Sequence, residues 1–218
     1  MEKTIKVTGI GTASVRPDTT VITLRMSKVK RSYEDALASS VADVTSVKDM
    51  LEGLGLDREG LRTGSFGVDA KYDNTTEKDG STHRTFKGYE YRQVLSFKFL
   101  SDNEILGKVL YALAHSKVES EFDIRYTVSD PKAAKEQVLS DAVKDAKKKA
   151  KTISTAAGIK LGNIAAIEYS SSEPSFDTAP VRGLARCMTM GSGNSYDIDI
   201  EPDDVRISDS VTVIWTIG

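Results

Sequence analysis

The sequence predicts an α+β fold: antiparallel β-sheets with helices packed on one face, in the order ββαββαβαββ. Two observations carry this. β-rich runs arrive in consecutive pairs, which favours antiparallel hairpins. Between them stand three runs with apolar residues at helical spacing and recognisable start and stop signals. A chain of 218 residues can build one sizeable core of this kind, or at most two small ones. We read one domain over 1–218, with 170–200 as a flexible or interface loop.

Residues 3–15 and 19–30 are the first β-rich pair, joined at Pro17-Asp18. Gly9 and Gly11 inside the first strand predict a bulge or close backbone packing. They superficially resemble a phosphate loop, but such a loop needs a helix N-terminus after the glycines, and here more strand follows. Ser32 is a good N-cap for a helix over 33–54, in which Ala36, Val41, Val44, Val47, Leu51 and Leu54 recur at helical spacing. Gly53 and Gly55 close it. Strands over 61–73 and 86–100 flank a polar hairpin loop, 75–83. A second helix starts at Asp102 with Ile105, Leu106, Val109, Leu110 and Leu113, and a strand over 122–128 follows.

Asp130-Pro131 opens the longest helix, which runs to about Ala157 and stops at Gly158. Val138, Leu139, Ala142, Ala146, Ala150 and Ile153 form its apolar face. A strand over 163–169 leads into a Ser/Gly/Pro-rich stretch, 170–195. The last strand, 205–217, alternates apolar residues, but the alternation breaks near Ser208, where a bulge is expected. Strand–helix–strand occurs twice, which suggests a faint internal duplication.

Composition bounds the function. Hydrophobic residues make up 39% and charged residues 28%, so the chain is not largely disordered. A net charge of −2 gives no general attraction to nucleic acid or anionic membrane. The lone cysteine, Cys187, has no internal disulfide partner. No apolar run approaches the roughly 20 residues of a spanning helix. The opening Met1-Glu-Lys-Thr-Ile-Lys lacks the apolar core of a secretion signal. The expectation is a cytoplasmic protein if the chain is full length, and a periplasmic or secreted one if a leader has been removed.

An ordered set of residues resembles the SIMPL-domain family, named for a signalling molecule that associates with a pelle-like kinase. It comprises Gly9-x-Gly11, Pro17-Asp18, Ala36, Ala38, Gly53–Gly55, Thr63, Tyr72 and Gly88-Tyr89. It continues with Val128-Ser129-Asp130, then Ala142, Ala146, Lys149-Ala150 and Ala157-Gly158, and Leu161-Gly162. Pro202 departs from the pattern, being followed by Asp203 where the family usually has glycine. Bacterial members include exported, outer-membrane-associated antigens. The resemblance implies a helix-backed antiparallel fold, self-assembly, and links to stress protection or the cell envelope. It implies no catalytic residues.

Candidate sites are few. Lys144, Lys147, Lys148 and Lys151 crowd the longest helix and could form an anion patch. The plain alternative is a solvated face, diluted by Asp141 and Asp145, without aromatic residues to stack bases. Asp197, Asp199 and Glu201 alternate along an extended segment and are metal candidates; against them, the run lacks the EF-hand turn glycine and closing glutamate. A charged, protected edge strand explains the run as well. His83 and His115 have no metal-spaced partners. Gly191-Ser-Gly-Asn-Ser lacks the strand and helix of a nucleophile elbow. Cys187 stands near Arg182 and Arg186, which would lower a thiol pKa; an inert loop cysteine fits equally.

The stretch 179–190 is unusual for a loop, carrying Val181, Leu184, Met188 and Met190 beside two arginines. That mixture suits an association surface, or a loop folded back over its own core. The leading reading is a non-enzymatic, self-associating module acting as a scaffold, in stress protection or in the cell envelope, with no cofactor or nucleic acid. Its partner would be a second copy, through 179–190 and the strands of 61–100. The alternatives are a small-ligand binder or enzyme with a pocket between helices and sheet, and an anion binder using the lysine helix. For the enzyme reading, Asp18, Arg25, Tyr72 and Tyr89 would have to converge in one cavity.

Overall fold

The computed structural model describes residues 3–76, 82–170, 178, 188–190 and 194–218. Along the chain run β1 (Thr4–Val15), β2 (Thr19–Lys30), α1 (Tyr33–Gly53), β3 (Arg62–Thr76), β4 (Thr82–Leu100), α2 (Asn103–Ala114) and β5 (Ser120–Thr127). Then come α3 (Pro131–Ala156), β6 (Leu161–Glu168), β7 (Met188–Met190), β8 (Tyr196–Ile198) and β9 (Val205–Ile217). The α+β class and the order of the longer elements agree with expectation; β7 and β8 are additions. The chain forms two compact units. One comprises Met1–Asp18, Thr127–Thr178 and Pro202–Gly218, the other Thr19–Tyr126 and Ala179–Glu201.

The first unit is a three-stranded sheet, β1-β9-β6, with both pairs antiparallel. β1 and β9 pair without a shift from Thr4↔Thr216 to Val15↔Val205. This corrects the bulge expected near Ser208. Val205, Ile207, Val211, Val213 and Trp215 are all buried and all odd-numbered, so the pleat stays in phase. Asp209 simply occupies the next odd slot, where its carboxylate accepts from Tyr169 Oη at 2.8 Å. The irregularities lie on the β6 side instead, between Leu161 and Ile164 and between Ile164 and Ala166.

Of the two readings of Gly9 and Gly11, close packing is the one observed. A Cβ on Gly9 would lie 2.0 Å from the Ala142 carbonyl oxygen, and one on Gly11 1.9 Å from that of Val138. The buried alanines Ala142, Ala146 and Ala150 let α3 come this near. Ser154 continues their four-residue step into the buried face, which leaves Ile153 46% exposed rather than on the apolar face as expected. Pro131 starts α3, and the Asp130 side chain accepts from the Lys132 and Ala133 amides. Asp145, halfway along, accepts from the Ile10 amide at 2.9 Å. The Lys149 ammonium and then that amide hold its carboxyl below the usual range.

The second unit is a four-stranded sheet in the order β3-β4-β2-β5. Ile22, Leu24 and Met26 alternate inward on β2, and Tyr91, Leu95 and Phe97 on β4. They share a core with Val47 and Leu51 of α1 and Leu106 and Leu110 of α2. Full burial of each such side chain stabilises by about 1.5–3 kcal/mol. Ser32 and Asp102 cap the two helices, accepting from the Asp35 amide and from the Glu104 and Ile105 amides. β8 packs against α2 and places Ile198 in the same core. It pairs antiparallel with β7.

The β3–β4 hairpin is longer than expected, reaching Thr76 and resuming at Thr82. Thr75 pairs with His83 and Thr76 with Thr82. These β-branched threonines suit an extended backbone although the stretch is polar, and polarity alone marked it as loop. Residues 77–81 lie outside the described ones. Two register shifts punctuate the ladder, between Thr63 and Ser65 and between Lys71 and Tyr72. The second leaves Lys87 unmatched on β4, beside Gly88 at φ 135°. A Cβ on Gly88 would meet the Lys30 carbonyl oxygen at 2.1 Å, so the site requires glycine twice over.

Candidate functional site

Among the described residues β3 ends the four-stranded sheet, so its outer edge offers N–H and C=O groups for pairing. From Ser65 to Thr76 the extra residue of the ladder sits on β4, and β3 itself runs unbroken. The register sets Ala70 opposite Tyr89 and Tyr72 opposite Phe86, which lines up a row of rings. Tyr33 and Tyr89 meet edge-on with centroids 5.8 Å apart. Tyr89 and Phe86 follow at 5.5 Å, and Phe86 and Tyr72 at 5.5 Å. Arg84 lies over the Tyr72 ring, its guanidinium carbon 3.9 Å from the centroid. Tyr33, Tyr72 and Phe86 remain exposed.

The charges around this row are matched within the hairpin. Lys71 meets Glu90 at 3.0 Å, Lys87 meets Asp73 at 3.4 Å, and Arg92 meets Asp69 at 2.8 Å. The surface is therefore aromatic and charge-balanced rather than basic or acidic. Such a combination suits contact with protein, where tyrosine, phenylalanine and arginine supply most binding energy.

A second polar group lies inside the unit. Asp43 of α1 accepts a hydrogen bond from the Tyr91 hydroxyl and faces the Lys28 ammonium at 2.9 Å. Tyr91 is fully buried. Burial, together with the Asp43 carboxylate, pushes its phenol pKa up. The trio links α1 to β2 and β4. Sequence reasoning missed it, although Asp43 falls at helical spacing with Ala36, Ser40, Val47 and Leu51, all buried. A carboxylate on a buried face was the available signal.

The other flagged residues are scattered. Lys144, Lys147, Lys148 and Lys151 are exposed on α3, with Lys144 paired to Asp141 at 2.8 Å and the neighbouring Lys149 to Asp145 at 2.7 Å. Asp197, Asp199 and Glu201 are exposed, while Ile198 is buried and Ile200 packs on the core. Among the described residues no three His, Cys, Asp or Glu side chains stand close enough to hold a metal ion. His83 is an exposed strand residue, and His115 ends α2, its ring stacked on Tyr111. Met188 and Met190 lie in β7; Val181, Leu184, Cys187 and 191–193 are outside the described residues.

Of the four residues named for the enzyme reading, Arg25 and Tyr72 line different clefts. Arg25 pairs with Asp123 at 2.5 Å and lines a cleft with Arg92, Glu119 and Glu121. Tyr72 lines another with Arg84. Asp18 accepts from the Ser129 amide at 2.7 Å, and Tyr89 belongs to the aromatic row. Sequence reasoning picked Tyr72 and Tyr89 but missed Tyr33, Phe86 and Arg84, because the offset that joins them depends on the unmatched Lys87.

The SIMPL family, described as protein of unknown function (DUF541), matches residues 5–215, and the chain belongs to it. Two relatives are the 26 kDa periplasmic immunogenic proteins of Brucella melitensis and Brucella abortus. Each is 25% identical over 213 residues, which cover 98% of this chain and 84% of the relative. No helix among the described residues is long and apolar enough to cross a membrane.

Proposed function

We propose that the protein is a non-enzymatic SIMPL module that self-associates through the β3–β4 hairpin and serves a scaffolding or protective role in the cell envelope. One observation carries the reading: an unbroken strand edge from Ser65 to Thr76, flanked by exposed Tyr72 and Phe86. The occupant that fits is a second copy of β3. In an antiparallel pairing centred on Ala70, Asp69 of each copy stands opposite Lys71 of the other, and Val68 opposite Tyr72. The other sheet has two edges: β1, whose Ile10 amide and Thr8 carbonyl are engaged by Asp145 and Lys149 of α3, and β6, which exposes Ile164 and Ile167. β6 is the one to weigh against β3. Its two register shifts make it the poorer template. The envelope assignment rests on the periplasmic names of the relatives. Both units take part in the module, since the family match runs through both.

Sedimentation velocity of Tyr72→Lys/Phe86→Lys tests the surface. These side chains are exposed, so the fold should persist while the oligomer mass drops. Met188→Ser/Met190→Ser tests whether the 179–190 segment contributes as well. Unchanged mass in the hairpin variant would remove the hairpin as the interface.

A further inference from the structure

The C-terminal half of α3 carries a face that the hairpin reading does not use. Lys144, Lys147, Lys148 and Lys151 are all exposed. They stand three or four residues apart, so the helix sets them side by side over about 10 Å of its axis. Ala142, Ala146 and Ala150 turn another side of the same stretch into the core. Each of the four lysines therefore has two like-charged neighbours at the spacings where helical side chains meet, and such pairs destabilise a helix.

The protein offsets little of this repulsion. Asp141 takes Lys144 at 2.8 Å, while Asp145 is engaged by Lys149 at 2.7 Å and by the Ile10 amide at 2.9 Å. Lys147, Lys148 and Lys151 make no ion pair among the described residues. Nor does the helix dipole account for them. It favours cations within the last turn, and the last turn of α3 holds no basic residue.

The shape and chemistry of the face select its partner. Side chains on one helix project from a convex surface, so a single small anion cannot meet all four ammonium groups, whereas a plane bearing many phosphates can. The face is all lysine, without the arginine forks or aromatic platforms that nucleic-acid surfaces use. Val143, 38% exposed, stands one turn before Lys147 at its rim, and an apolar side chain beside lysines suits a lipid headgroup layer. We propose that this face of α3 docks on an anionic phospholipid membrane, with the four ammonium groups among the phosphates and Val143 at the edge of the contact.

Flotation with lipid vesicles tests this. The protein should bind vesicles of phosphatidylglycerol and phosphatidylcholine and not vesicles of phosphatidylcholine alone. Binding should vanish as salt rises toward about 1 M, where the screening length is about 3 Å. Each lysine near such a surface contributes about fivefold in partitioning. Lys147→Gln/Lys148→Gln/Lys151→Gln should therefore weaken binding roughly a hundredfold, and the corresponding triple arginine variant should keep it. Lys3→Gln/Lys132→Gln/Lys160→Gln removes the same charge from exposed sites outside the face and should bind like the unaltered protein. Equal binding to both kinds of vesicle, no binding to either, binding that survives high salt, an equal loss in the two glutamine variants, or tighter binding to duplex DNA than to the anionic vesicles would each overturn the proposal.

Discussion

Gly11 and Gly53 are chemically the same residue in opposite situations. A methyl group on Gly11 would sit 1.9 Å from a backbone oxygen of α3, whereas one on Gly53 would meet nothing within 4 Å. Gly11→Ala should lower stability by about 1–3 kcal/mol or more through overpacking. Gly53→Ala, at the end of α1, should raise it by about 0.5–1 kcal/mol through the unfolded-chain entropy it removes. Thermal unfolding of the two variants reads both signs. The Lys28–Asp43–Tyr91 trio offers another contrast. Lys28→Met leaves a buried carboxylate without its cation and should cost on the order of 3 kcal/mol. The Tyr91 phenol is raised in the folded state, first by burial and then by Asp43. Its contribution is therefore intact below the unfolded value of about 10 and is lost as pH climbs toward the folded one. Stability should fall above pH 10, and less steeply in Tyr91→Phe.

At the scale of elements, most boundaries were legible because caps and periodicity are local signals. Ser32, Asp102 and Asp130-Pro131 mark helix starts that the structure reproduces within a residue. What misled was polarity read as irregularity. Asp209 interrupts the apolar pattern of β9 without disturbing its pleat, and the threonines of the hairpin are polar like a loop yet pair as strand. The close approach of α3 to β1 was half legible: glycines inside a strand announced it, and alanines at four-residue steps announced it again. The partner of each could not be known without the fold. The aromatic row was less accessible, since Tyr72 meets Phe86 only through the register shift after Lys71. Deletion of Lys87 should remove that shift while Lys71 stays opposite Gly88 and Tyr72 opposite Phe86, so the aromatic pair and the association it supports should persist. Chemical cross-linking through the hairpin measures this.

The whole molecule carries a net charge of −2, a charge-balanced aromatic hairpin, and no grouping of nucleophile, base and orienting group among the described residues that would make a familiar catalytic set. Its strongest unsatisfied feature at this scale is a strand edge, and a long exposed edge without an interruption is a template for another strand. The most direct measurement is light-scattering mass on a sizing column across a range of protein concentrations. Self-association through the hairpin predicts a discrete oligomer, a fixed multiple of the 23.7 kDa chain, that persists on dilution and shrinks in Tyr72→Lys/Phe86→Lys. A monomer at every concentration would contradict it.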